Sequence, residues 1–200
     1  MSWLSPNRRL ILASASPRRS ELLSRMGFTF EVTAGDPLDE ESFLDPVSIE
    51  QSITRLAEAK GQGVAGRNPG ALVLSADTVV VCGGVILGKP ADDHAARRML
   101  RMLSGRAHQV MSAVALTCEA ASFQKSTVVC TDVFFRELSD PEIGWYVDSG
   151  EPSDKAGGYG IQGKAMIFVD KIEGCFYNVV GLPVQGTIDL FKEFDAKGIP

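Results

Sequence analysis

Histidine is scarce in this 200-residue chain, which has two, and its four cysteines stand far apart. Cys82, Cys118, Cys130 and Cys175 form no C-x-x-C pair, so a structural zinc site and a disulfide framework both lack the spacing they need. Each cysteine lies in an apolar or β-rich stretch, which predicts buried, reduced thiols without a nucleophilic role. A Ser-His-Asp triad would have to use His94, in a helix among charged neighbours, or His108, at a strand start. Both read as structural. Positive charge is short as well. Twenty Lys and Arg against 25 Asp and Glu leave a net charge of -5, which supplies no general basic field for gripping nucleic acid. No apolar run approaches the roughly 20 residues that span a bilayer. Met1–Arg9 lacks the apolar core of a signal peptide, which predicts a chain that stays in the cytoplasm. Two glycine patterns that cradle phosphates, Gly-x-x-x-x-Gly-Lys-Ser/Thr and Gly-x-Gly-x-x-Gly after a strand, are missing too.

What is present is a composition of 44% apolar and 22% charged residues, that of a soluble globular protein. The length suits one domain over residues 1–200, or one domain with two lobes. Its most informative segment is the opening one. Leu10-Ile11-Leu12-Ala13 reads as a short strand, followed by Ser14-Ala15-Ser16-Pro17-Arg18-Arg19 and a helix that closes at Gly27. Ser16 suits the N-cap, Pro17 the first helical position and Gly27 the C-terminal cap. Two arginines at a helix start oppose the macrodipole, so helix stability gives no reason for them, whereas an anion there would. Leu22, Leu23 and Met26 mark the buried face, and helical spacing puts both arginines near it.

Further on, Phe28–Val32 reads as a strand, and an acidic loop, Gly35–Glu41, follows. Pro46 opens a helix with Ile49, Ile53, Leu56 and Ala57 on one stripe, and Lys60 emerges on that same side. A lysine there either snorkels to solvent or reaches into a cleft. Ala71–Ala76 predicts a buried strand ending at Asp77-Thr78, then a glycine-turned hairpin from Val79–Cys82 to Val85–Leu87. Asp92–Leu103 reads as a helix, and His108–Thr117 and Ser126–Phe135 as long strands. A short helix capped by Ser139 and a glycine-rich loop from Asp154 follow. Met166–Lys171 and Phe176–Val180 read as β structure before a last helix from Pro183. Strands and helices interleave without strict alternation. The expected fold class is α/β, a mixed central sheet flanked by helices.

Asp77, at a predicted strand end between apolar runs, is a candidate general base or metal ligand, or else a turn-capping aspartate. Lys89 and Lys155 stand beside turn residues. Taken together, a basic helix start, loop lysines, a few carboxylates and glycines permitting close backbone approach suit a triphosphate with a metal ion.

These segments together resemble the Maf family of nucleoside triphosphate pyrophosphatases. The resemblance runs over nearly the whole chain: Ser14–Arg19, Asp39-Glu40, Arg55–Lys60, Ser75–Val80, Gly88–Pro90, Ser104–Val110, Asp154–Gly163 and Tyr177–Pro183, in order. Gly61, where the family usually has alanine, bears on the local helix end. Three positions resemble the dTTP/UTP branch: Arg18 after Ser-Pro, Thr78 after the aspartate and Gln162 before a glycine.

The resemblance implies two lobes around a nucleotide cleft and hydrolysis of dTTP and UTP to the monophosphate and pyrophosphate. Modified pyrimidine nucleotides such as 5-methyl-UTP and pseudo-UTP are further expected substrates, with the cell protected from incorporating them. It implies Mg²⁺ or Mn²⁺ as cofactor and Asp77 as proton acceptor, with metal ligation as the alternative role of Asp77 and Glu40 as a second metal-linked carboxylate. Ser14, Arg18, Arg19, Lys60, Lys89 and Lys155 would hold the substrate, while Thr78 and Gln162 would read the base. The expected partner is the nucleoside triphosphate, with neither nucleic acid nor membrane, and a homodimer is the default assembly. The alternative reading is a nucleotide-binding regulator of cell division and septum formation.

Overall fold

The computed structural model describes residues 8–198. Its seven-stranded mixed sheet has the order β2-β1-β3-β5-β6-β7, with β4 added on β3. The strands are β1 (Leu10–Leu12), β2 (Glu31–Val32), β3 (Leu72–Cys82), β4 (Val85–Leu87), β5 (Ala107–Cys118), β6 (Phe123–Phe135) and β7 (Val169–Glu173). The helices are α1 (Pro17–Arg25), α2 (Ile49–Arg67), α3 (Asp93–Leu103), α4 (Asp140–Val147), α5 (Phe176–Val180) and α6 (Val184–Ala196). Parallel pairing of β1 with β2 and β3, beside antiparallel β3–β4 and β6–β7, gives the mixed sheet expected. Among the described residues no helix is long and apolar enough to cross a membrane.

The chain divides into two compact units. The first comprises the chain as far as Asp77, Ser112–Val129 and the chain from Gly181 on. Here β1 and the Leu72–Leu74 stretch of β3 that pairs with it are apolar on both faces, as parallel strands covered by helices must be. Ile11, Ala13 and Val73 pack with Val64 and Ala65 of α2. Leu22 and Leu23 of α1 are buried, each stabilising by about 1.5–3 kcal/mol, while Met26 is only half-buried. Phe28 meets Phe191 of α6 at 4.7 Å and Phe123 meets Phe194 at 4.9 Å.

The second unit comprises Thr78–Met111 and Cys130–Val180. Its helix α3 starts where predicted, Asp92 accepting from the Ala95 amide at 2.6 Å. Ser139 and Glu142 form a capping box on α4. An aromatic cluster of His108, Phe135, Tyr159, Phe168 and Tyr146 fills its interior.

Four expectations need correction. The segment Phe28–Val32 contributes only the two exposed residues of β2, because Gly27 at φ 83° turns the chain and Phe28 goes to α6 instead. Phe176–Val180 is a short helix rather than a strand. Glycines at positive φ, Gly174 and Gly181, bracket it, and the Cys175 carbonyl accepts from the Asn178 amide. Met166–Lys171 begins as a 3-10 turn over Lys164–Phe168 and becomes strand only from Val169. Cys82 and Cys118 are buried, but Cys130 is exposed, since the outer part of β6 faces solvent, and Cys175 is half-buried.

Candidate active site

Strand β1 is three residues long and lies between two parallel neighbours. The chain leaves it through α1 towards β2 on one side and returns through α2 to β3 on the other. Such a reversal opens a crevice at the carboxyl end of the strand, where ligands of open α/β sheets bind. The Ala13 amide still bonds the Leu74 carbonyl at 2.7 Å, and Ser14 then turns the chain into α1.

Ser14 is buried, and its hydroxyl accepts from the Ser16 amide and from Nη1 of Arg19, both at 3.2 Å. Nε of Arg19 donates to the Gly181 carbonyl at 2.9 Å. The guanidinium is thus held in one plane by two fixed acceptors. Burial pulls its pKa below the ordinary arginine value; Asp77 offsets this, Arg18 adds to it and Glu40 offsets it again. Those couplings place Arg18, Arg19, Asp77 and Glu40 in one electrostatic neighbourhood. Ser16 occupies the N-cap position, but its hydroxyl makes no capping bond to α1.

Asp77 is not at a strand end. It lies within the eleven residues of β3, in the stretch Ser75–Val79 between two ladders. Pairing with β1 stops at Leu74 and pairing with β4 starts at Val80, so β3 continues through the aspartate. Apolar residues on both sides of Asp77 therefore belong to one strand, which rules out the turn-capping role.

Lys60 reaches inward from α2. Its Nζ is 2.5 Å from Asp77 Oδ1 and 2.7 Å from Glu40 Oε1. The Asp77 side chain is 10% exposed and that of Glu40 47%, so the ammonium links a buried carboxylate to a wetter one. Lys60 does not snorkel. The residue after it, Gly61, lies inside α2 rather than near its end, and an added methyl there would stand 2.7 Å from Ser75 Oγ. Close approach of α2 to β3 is what brings Lys60 to Asp77.

The first unit therefore gathers Ser14, Arg18, Arg19, Glu40, Lys60 and Asp77. Thr78, Lys89, Lys155 and Gln162 belong to the second unit. Thr78 follows Asp77 in β3 and is half-buried, while Lys89 and Gln162 are exposed. Lys155 donates to the Glu151 carbonyl at 2.7 Å and to Asp154 Oδ1 at 2.6 Å, stitching its own turn. His94 is exposed on α3. His108 is buried, with Nε2 2.8 Å from Tyr159 Oη, and burial pulls its pKa down to about 4.

Reasoning from the sequence missed the Gly181 carbonyl, 162 positions from the arginine it holds. It also missed Tyr146 and Glu151, whose side chains hold the Gln162 turn. No local signal marks Gly181; the Gly-Glu-Pro run at 150–152 is a turn signal that could have drawn attention to Glu151.

The donors present suit a divalent cation only in part. Glu40 and Asp77 offer hard carboxylate oxygens, but among the described residues no group of three or more His, Cys, Asp or Glu side chains could hold a metal. Two carboxylates would supply only part of the oxygen shell that Mg²⁺ or Mn²⁺ takes.

Comparison with known proteins points the same way. The sequence profile of the Maf family, described as a Maf-like protein, matches residues 9–194. A protein of Hahella chejuensis named dTTP/UTP pyrophosphatase is 47% identical, over 95% of this chain and 94% of its own length. Proteins of the same name from Myxococcus xanthus and Escherichia coli O6:K15:H31 are each 49% identical. They match 92% and 94% of this chain, and 91% and 93% of their own lengths.

Proposed function

The chain belongs to the Maf family, and we propose that it hydrolyses dTTP and UTP between the α and β phosphates, yielding the monophosphate and pyrophosphate. The observation that carries this reading is the Lys60–Asp77 pair beside the Arg19 anchor at the carboxyl end of β1. It sets one buried carboxylate among cations in the place where an α/β sheet receives phosphate.

Phosphoryl transfer asks mainly for positioning and charge neutralisation. Arg18 and Arg19, the open start of α1 and the Ser14 hydroxyl bind the phosphates, with Lys89 and Lys155 as further cations. Asp77 accepts the proton of the attacking water. As the new bond from water to the α phosphorus forms, the α–β anhydride P–O bond breaks and its electron pair leaves on the departing pyrophosphate. Lys60 holds the Asp77 carboxylate in place and offers its remaining donor capacity to phosphate oxygens. Glu40 would hold Mg²⁺ or Mn²⁺, which would supply charge neutralisation; ligation by Asp77 is the alternative to its role as proton acceptor.

Thr78 and Gln162 read the base. A carboxamide can donate to a carbonyl and accept from the ring N–H of uracil or thymine. The base of 5-methyl-UTP is thymine itself, and pseudo-UTP presents uracil's carbonyls, so both are substrates of the same site. The chain works as a single cytoplasmic domain on free nucleotide, and a homodimer is its assembly.

A pyrophosphate-release assay with Mg²⁺ or Mn²⁺ tests the reading, comparing dTTP, UTP, dCTP, CTP, ATP, GTP and 7-methyl-GTP. Turnover confined to dTTP and UTP supports it. Binding without turnover on any nucleotide overturns it in favour of a regulator.

A further inference from the structure

Gln162 sits at a central position of a tight turn. The Gly163 amide donates to the Gly160 carbonyl at 3.0 Å, with Ile161 buried and Gln162 exposed between them. A glutamine on an unsupported exposed turn would sample many positions and read nothing. This turn is held at both ends by two side chains. The Gly160 amide donates to Tyr146 Oη at 3.1 Å, and that hydroxyl donates onward to Glu151 Oε1 at 3.1 Å. The other carboxylate oxygen, Oε2, accepts from the Lys164 amide at 2.9 Å.

One carboxylate and one phenol thus close a ring around the turn, from residue 160 to residue 164. The ring is itself anchored. Tyr146 is fully buried in α4 and packs edge-on against Phe168 at 5.3 Å. The Glu151 carbonyl accepts from Lys155 Nζ at 2.7 Å, and the Lys155 stem runs under Gly160, where an added methyl would stand 2.5 Å from Cε. At Gly163 an added methyl would collide with the Glu151 carboxylate. The two glycines therefore let the turn lie directly on the residues that hold it.

We infer that Tyr146 and Glu151 are positioning residues for base selection: through the Gly160 and Lys164 amides they fix the turn that presents Gln162. This inference rests on the reading of Gln162 as the residue that recognises the pyrimidine. It assigns to Glu151 a role separate from the acid cluster of the first unit, since its two carboxylate oxygens are committed to a phenol and an amide. Lys155 takes part by holding the backbone of the same turn.

The test is steady-state kinetics on dTTP and dCTP for the full chain and for Tyr146→Phe, Glu151→Gln, Gly163→Ala and Gln162→Ala. Tyr146→Phe keeps the buried ring and removes only the hydroxyl. Glu151→Gln keeps the shape but turns one acceptor into a donor facing an amide. Each should lower the dTTP/dCTP ratio of kcat/KM by about tenfold, the scale of a small displacement of a positioned group. KM for dTTP should rise while kcat stays within about twofold, because Asp77 is untouched. A merely structural role would reduce active enzyme and lower both substrates alike, leaving the ratio where it was. Gly163→Ala reaches the same ring from the turn side and should move the ratio in the same direction. If Gln162→Ala lowers the ratio and the other three variants do not, the inference is overturned while the reading of Gln162 stands. If Gln162→Ala also leaves the ratio unchanged, the reading of Gln162 falls and the inference with it.

Discussion

The acid cluster around Asp77 and the turn around Gln162 are built in opposite ways. In the first, Ser14, Arg19, Glu40, Lys60, Asp77 and Gly181 come from widely separated segments and meet at the end of β1 through ion pairs and charge-assisted hydrogen bonds. In the second, every participant lies between Tyr146 and Lys164, and most of the bonds end on backbone amides. Charged groups that must handle phosphate need a frame that resists their own desolvation and repulsion, which the sheet and α2 provide. A recognition turn needs only a defined shape, and a short loop can set that by itself. Damage to the first region should therefore appear in turnover and stability, and damage to the second in selectivity.

The sharpest break in this comparison is Asp77→Asn, which keeps the volume and removes the basic oxygen. We expect turnover to fall by about 10²-fold or more with the fold intact. Near-normal kcat with an unchanged thermal midpoint would remove Asp77 from the chemistry. Next is Lys60→Met, which leaves the Asp77 and Glu40 carboxylates without their shared ammonium. Loss of a largely buried partner should cost about 2 kcal/mol or more, read from urea unfolding, and Asp77→Asn added to it should restore part of that. An unshifted midpoint would mean that solvent already screens the pair.

Outside both regions, in the core of the second unit, His108 beside Tyr159 couples stability to pH. Its folded pKa, about 4, lies below the ordinary value of 6.5, so the unfolded chain takes up the proton first. The contribution is complete above pH 6.5 and is lost as pH falls from there towards 4. Between pH 7 and pH 5 the loss should be about 2 kcal/mol, and His108→Gln should flatten that slope. An identical slope in the variant would place the titration elsewhere. The smallest effect expected is that of Arg18→Ala, a rise in KM of about tenfold with little change in melting temperature, the scale of one charge-assisted contact. Unchanged kinetics would take Arg18 out of phosphate binding.

Much of the frame was legible in the sequence. Pro17, Leu22, Leu23 and Gly27 mark out α1, the capping box at Ser139 starts α4, and the stripe from Ile49 to Ala57 turns α2 inward and carries Lys60 with it. Those signals lie within a few turns of chain, where hydrogen bonding and side-chain spacing are local. The errors fell where partners are distant or the pattern is ambiguous. Val79 to Cys82 and the residues before Asp77 looked like two strands, because an aspartate between apolar runs usually breaks a strand. Only the change of partner from β1 to β4 along β3 explains why it does not. Phe176–Val180 is apolar and short, a pattern that fits strand and helix equally, and the choice fell to Gly174, Gly181 and the hydrogen bonds around Asn178.

By itself the sequence determined the apolar frame, the caps and the ordered set of motifs that marks the Maf family, since each of these is a matter of residue type at short spacing. Tertiary structure decided that Lys60 stands between Asp77 and Glu40, that the Gly181 carbonyl holds Arg19, and that one carboxylate, Glu151, clasps the turn of Gln162. Such contacts depend on how helices and strands pack, and packing is a sum over the whole chain that no single segment carries.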